Sequence, residues 1–194
     1  MVTPVNPEFD ADVVFLVDSA WSVGRANFQA EKEFVKSFAK ALNVKPGKSR
    51  GSVISYSSSP QVHFRFNDYK TSKEFENLVD STPFLGQYRN MDKAVQEAGK
   101  VLNRARQNVP KVVVLLTAGR DLPGGQELGE VVKPLQRQGA KLFVVGIGSQ
   151  PDYQGLSRAV EKREDLVRIG GFSKLSAAVT STAKYVTSRA GKCY

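Results

Sequence analysis

The residues able to do chemistry are few, and their types narrow the options. His63 is the only histidine and Cys193 the only cysteine. A nucleophile–histidine–carboxylate triad and a histidine-based zinc site both need partners that His63 lacks, so an edge-strand histidine is expected there. No internal disulfide can form; Cys193 is either an unpaired thiol or a link to another chain. The sequence contains no Gly-x-x-x-x-Gly-Lys-[Ser/Thr] loop, no Gly-x-Gly-x-x-Gly fingerprint and no Gly-x-Ser-x-Gly elbow, which argues against phosphate, dinucleotide and acyl-transfer enzymes. What remains is a set of polar residues that follow apolar runs: Asp18-Ser19-Ala20-Trp21-Ser22 after one, Arg89-Asn90 in a second stretch, and Thr117-Ala118-Gly119 after a third. The triplet Gly119-Arg120-Asp121 is not an adhesive motif in that order and carries no weight.

The elements that must position these residues read as alternating strands and helices. Continuous β-branched runs over 12–18, 51–56, 111–117 and 141–147 predict strands covered on both faces, as in parallel sheets. Residues 61–66 alternate and follow the turn Ser57-Ser58-Ser59-Pro60, which predicts an edge hairpin. Residues 165–169 form a short last strand. Helices are predicted over 25–43, with Phe28, Val35, Phe38 and Leu42 on one face, then over 72–80 with Ser72 as N-cap, and over 90–107. Others follow over 128–138, closed by Gly139, then over 153–162 and 173–189. The fold class is therefore α/β: a doubly wound, mostly parallel six-stranded sheet with one antiparallel edge strand and helices on both faces. Ligands of such sheets bind at the carboxyl ends of the strands, so function is sought in the loops after Val17, Leu85 and Leu116.

At 194 residues, 41% hydrophobic and 24% charged, the chain reads as one soluble globular domain. It divides into an extension over 1–10, the domain over 11–190 and a tail over 191–194. No apolar run approaches the ~20 residues that span a bilayer, and no signal-peptide pattern is visible. The net charge is +9, with clusters at Lys45, Lys48 and Arg50, at Arg104, Arg106 and Lys111, and at Lys133, Arg137 and Lys141. These make either a solvated basic surface or a site for sulfated glycans; without aromatic-interleaved motifs, nucleic acid is the less favoured polyanion. No Asn-x-[Ser/Thr] sequon occurs.

The polar loops, in order, resemble those of von Willebrand factor type A domains. Asp18-Ser19-Ala20-Trp21-Ser22-Val23-Gly24 is similar to the family's first metal loop, and Gly51 to Ser57 to its second strand. Asn90-Met91-Asp92-Lys93-Ala94 is similar to the end of its Thr-Asn-Thr-Gly-x-Ala segment. Val114 to Gly119 resembles its Ile-Thr-Asp-Gly, and Val144 to Gly148 its fifth strand. The resemblance implies a metal-ion-dependent adhesion site built from Asp-x-Ser-x-Ser, a threonine and an aspartate, because Mg²⁺ prefers about six oxygens. Position by position, Asp18 and Ser22 match. Ala20 replaces a serine, Arg89 the threonine and Ala118 the aspartate, so the resemblance implies a degenerate site with no metal cofactor. Arg89 either bonds to Asp18 in the vacated space or points into solvent. Trp21 is either an exposed partner contact or a ring laid against neighbouring loops. Within the family, the Asp-Ser-x-Trp-Ser loop and Thr-Ala-Gly-Arg-Asp are similar to the N-terminal A domains of collagen VI chains. That likeness implies a secreted extracellular-matrix module, not an enzyme, acting in microfibril assembly and cell adhesion. Its partners would be matrix proteins or neighbouring A domains, with sulfated glycans as the alternative.

Overall fold

A computed structural model describes residues 1–191; Cys193, with residues 192 and 194 of the tail, lies outside the described residues. The strands are β1 (Asp12–Asp18), β2 (Arg50–Tyr56), β3 (Pro60–Phe64), β4 (Lys111–Thr117), β5 (Ala140–Ile147) and β6 (Leu166–Ile169). They lie in the order β3-β2-β1-β4-β5-β6, with β3 antiparallel at one edge and the other pairs parallel. This is the doubly wound sheet expected from the alternating pattern.

Both faces of the sheet are covered. Successive residues of a strand point to opposite faces, so Phe15 and Val17 face one layer while Val14 and Leu16 face the other. The first layer holds the helices α1 (Arg25–Ala41), α2 (Ser72–Asp80) and, at the chain's end, α7 (Leu175–Ala190). Phe38 stacks on Phe34 with centroids 5.1 Å apart and meets the edge of Phe15 at 6.5 Å. The second layer holds α3 (Met91–Leu102), α4 (Leu128–Val131), α5 (Lys133–Arg137) and α6 (Tyr153–Ser157). The extension over 1–10 joins the fold: Phe9 is buried in the first layer, and the Val5 amide donates to the Ala41 carbonyl at 3.0 Å.

Several expected boundaries are corrected. The N-cap of α2 is Thr71, not Ser72; its hydroxyl accepts the Glu74 amide at 3.1 Å. Thr71→Ala is expected to cost about 1 kcal/mol, read as a lower midpoint in urea unfolding. Helix α3 starts after Asn90, its cap, and stops at Leu102 instead of running to 107. Beyond it, Arg106 leaves the helical path because its amide and guanidinium reach the buried Asp12 at 2.7 and 2.9 Å. The helix expected over 128–138 is two pieces broken at Val132: Pro134 has no N–H to give the carbonyl four residues back. Helix α6 ends at Ser157, whose hydroxyl turns back to the Gln154 carbonyl at 2.7 Å. Asp165 belongs to a 3₁₀ turn (Arg163–Asp165) ahead of β6, where its carboxylate accepts the Tyr185 hydroxyl at 2.8 Å. A second 3₁₀ turn (Phe172–Lys174) precedes α7.

His63 lies half-buried on β3, its ring Nε2 2.6 Å from the Ser55 hydroxyl. Burial lowers its pKa below the ordinary histidine value.

Candidate functional site

The connections leaving β1 and β4 run to opposite faces, so the carboxyl ends of these two central strands open a cleft between diverging loops. Asp18 ends β1 there and is fully buried. One carboxylate oxygen accepts the Ala20 amide at 3.1 Å. The other accepts the Ala118 amide at 2.9 Å and Arg89 Nε at 2.7 Å. Arg89 then extends both Nη groups: Nη2 donates to the Ser22 hydroxyl at 3.1 Å, and Nη1 to the Arg120 carbonyl at 3.1 Å. Three of the five aligned positions, Asp18, Ser22 and Arg89, therefore meet through their side chains, and Ala20 and Ala118 are tied in by their backbone amides.

Arg89 reaches this place because its segment is laced to the first loop. The Ser19 carbonyl accepts the Gly86 amide at 2.9 Å, the Ser19 hydroxyl accepts the Leu85 amide at 2.7 Å, and the Gln87 carbonyl accepts the Trp21 amide at 2.6 Å. Gly119 completes the fit: a Cβ at this position would collide with the Arg89 guanidinium.

Two carboxyl groups in the site were not singled out from the sequence. Glu31 of α1 is fully buried, and its Oε2 accepts the Asp18 amide at 2.9 Å. Burial raises its pKa well above the ordinary value, and the neighbouring Asp18 charge raises it further. Burial also pushes Asp18 upward, opposed by the Arg89 charge and the amides of Ala118 and Ala20. For Arg89, burial lowers the pKa, but the Asp18 charge, Tyr56, the hydrogen bond to Asp18 and the Asp121 charge together raise it, and the guanidinium stays charged. The signal for Glu31 was present: a glutamate three residues after Phe28 and four before Val35 stands on the apolar face of α1.

Asp121 is the second. It accepts the Met91 amide with both oxygens, at 2.9 and 3.0 Å, at the start of α3. Burial raises its pKa to about 6; the Met91 amide pulls downward and Asp92 adds an upward push. A carboxyl whose folded pKa is raised favours the fold most below its unfolded pKa, and that contribution is lost as pH rises through the folded value. Asp121→Asn keeps an acceptor for Met91 and removes the charge. Between about pH 4 and about pH 7 its stability is expected to gain about 1–2 kcal/mol on the parent, a figure reduced for partial solvent exposure. Urea unfolding across that range checks the sign.

The rim is apolar. Trp21 is 75% exposed, so its ring stands out instead of lying against the neighbouring loops, and Tyr88 (67%) and Leu122 (52%) stand beside it.

The family model for the von Willebrand factor type A domain matches residues 12–181. The chain belongs to this family. The human von Willebrand factor A domain-containing protein 2 is 29% identical over 168 residues, covering 84% of this chain and 22% of that protein. The mouse collagen alpha-4(VI) chain is 29% identical over 199 residues, covering 95% of this chain and 8% of the collagen. The chain thus spans less than a quarter of either relative. Proximal thread matrix protein 1 of the mussel byssus shares the fold, with a TM-score of 0.85 at 19% identity over 93% of this chain and 48% of that one. That protein has also been solved with its metal-ion-dependent adhesion motif occupied by zinc. Among the described residues, no cluster of three or more His, Cys, Asp or Glu could hold a metal ion, and no helix is long and apolar enough to cross a membrane.

Proposed function

We propose that this domain is a non-enzymatic protein-binding module of the extracellular matrix whose adhesion site works without a metal ion. Its relatives in collagens and related adhesion proteins support the matrix setting and the binding role. A collagen VI-type parent, acting in microfibril assembly and cell adhesion, is the finer form of the same reading.

The observation that carries the metal-free reading is the Arg89 guanidinium on Asp18, 2.7 Å away. A Mg²⁺ ion would need about six oxygens. Both Asp18 oxygens already accept hydrogen bonds, the Ser22 oxygen accepts one from Arg89, and Ala20 and Ala118 offer no side-chain oxygen. The residues present do not fit the ion, and a fixed positive charge stands among the groups that would bind it. Calorimetric titration of EDTA-treated protein with Mg²⁺ and Mn²⁺ tests this. No heat and no change in melting temperature are expected; one-site binding would overturn the reading.

A second reading, metal-independent binding of sulfated glycans, has its own support. At the amino-terminal end of the sheet, Lys45 is exposed in the turn after α1, and Arg104 follows α3. Arg50 and Arg106 beside them are paired with Asp12 and Asp10, and Lys48 lies 3.6 Å from Glu8, so Lys45 and Arg104 carry this reading. Heparin and duplex DNA compared across a salt series would show a steep, shared slope if phosphate-like charge alone drove binding.

A further inference from the structure

Beside the ion pair, an open hollow of 580 Å³ is lined by Trp21, Ser58, Gly86, Gln87 and Tyr88. That volume lies within the range of about 300–1,000 Å³ common to small-molecule sites. None of the lining side chains is charged, although the chain as a whole carries +9. Two exposed aromatic rings, Trp21 and Tyr88, bound the hollow. Neither ring pairs with another aromatic side chain among the described residues. Gly86, at φ 66°, adds no side chain to the space. The polar group is Gln87. Its Oε1 accepts the Ser57 hydroxyl at 3.4 Å and also the Ser58 hydroxyl, while its backbone carbonyl holds the Trp21 amide at 2.6 Å. The side-chain amide is thereby oriented, and its Nε2 donates to no acceptor among the described residues. The Ser58 oxygen gives its proton to Gln87 and keeps lone pairs for a donor from outside.

A ligand that fits this lining is uncharged, offers a flat apolar face to an aromatic ring, and carries both acceptors and donors at its edge. A pyranose ring has that form: its axial C–H groups make an apolar face, and its hydroxyls accept and donate around the rim. The face of an aromatic ring carries partial negative charge and attracts such C–H groups. We infer that the hollow binds a neutral hexose of a glycan chain. The sugar ring lies on Trp21, one hydroxyl accepts from Gln87 Nε2, another donates to Ser58 Oγ, and Tyr88 closes the opposite side. A proline-rich segment would use the rings and the amide but would leave Ser58 Oγ without a donor, because proline has no N–H. The site is independent of the Arg89–Asp18 pair. It also differs from sulfated-glycan binding, which would draw on Lys45 and Arg104 at the other end of the sheet.

The test titrates lactose and cellotetraose into the ¹⁵N-labelled domain in EDTA, followed by ¹⁵N–¹H NMR. Trp21 is the only tryptophan, so its indole N–H reports the hollow without ambiguity. Both sugars are expected to shift the Trp21 indole and the Gln87 side-chain amide with millimolar affinity. Tighter binding of lactose identifies the end of a glycan chain as the natural ligand, and tighter binding of cellotetraose the interior of a polysaccharide; either supports the inference. Trp21→Ala should abolish the shifts of Gln87, and Gln87→Leu should weaken binding by up to about tenfold, the worth of one hydrogen bond. Both side chains are exposed, and unchanged melting temperatures confirm folding. Affinity should stay level across a salt series, since no charge is engaged. Absence of any indole shift at saturating sugar overturns the inference, as does a steep fall of affinity with salt. It is equally overturned by a heparin hexasaccharide or a proline-rich peptide that moves the indole at lower concentration than either sugar. Indole shifts that follow protein concentration without sugar would report a second copy and overturn it too. Each of these failures leaves the metal-free reading standing, because that reading is tested by the ion titration alone.

Discussion

Arg89→Ala is expected to destabilise the domain by about 3–5 kcal/mol, because it strands a buried carboxylate without its counter-charge. Asp18 is fully buried and would keep only the amides of Ala20 and Ala118, while the Ser22 hydroxyl and the Arg120 carbonyl would lose their donor. Glu31 cannot compensate, since it is a second buried carboxyl, held on the Asp18 amide, and adds no cation. For a domain of this size the loss corresponds to a melting temperature lower by roughly 6–20 °C. The sign of the pH dependence is fixed by the same argument. Without the guanidinium, burial raises the Asp18 pKa further, so the variant should lose stability as pH rises above the unfolded carboxyl value and approach the parent in acid. Arg89→Lys should fall between, because an ammonium cannot fork to Asp18, Ser22 and the Arg120 carbonyl at once. Removing both charges with Asp18→Asn and Arg89→Met should cost less than the sum of the two single changes, since neither charge is then left alone. A urea midpoint for Arg89→Ala equal to that of the parent would show that the guanidinium does not hold this position in solution.

The strands and the strand-end location of the site were legible because both depend on local pattern. Runs such as Val112 to Leu116 are apolar on both faces only where helices cover both sides of a sheet. The five aligned positions came from the resemblance of the loops to the family's metal motif, not from spacing alone. What escaped was set by tertiary partners. Nothing in the local sequence stops α3 at Leu102; the stop comes from Asp10 and Asp12, nearly a hundred residues earlier, which draw Arg106 away. Asp121 lay in a triplet set aside as a failed adhesive motif, yet its role is to hold the first amide of α3. Glu31 broke the apolar stripe of α1 and so marked itself, but its purpose depends on the Asp18 amide, which sequence periodicity does not reveal.

Rebuilding the family's oxygen set provides the second large effect. The triple change Ala20→Ser, Arg89→Thr and Ala118→Asp removes the guanidinium and adds two hydroxyls and a carboxylate around Asp18 and Ser22. Ala118 is partly exposed, so a carboxylate has room; Ala20 is buried, but serine adds a single oxygen. Without metal this variant should be less stable than the parent, because two carboxylates would then share a site with Glu31 and no cation. Adding Mg²⁺ or Mn²⁺ should reverse the order, stabilising it by about 2.7 kcal/mol when the free ion is at 100 times its Kd. The parent should show no such dependence. Each single change should fail for a different reason: Arg89→Thr leaves too few oxygens, and Ala118→Asp alone places its carboxylate on a guanidinium already engaged. Thermal melts in EDTA and in Mg²⁺ separate these cases. Metal-dependent stabilisation of the triple variant alone would mean that Arg89, Ala20 and Ala118 together, and not the surrounding fold, exclude the ion. If the triple variant ignores the ion as the parent does, the loop geometry itself must have diverged, and Glu31 beneath Asp18 becomes the next residue to replace.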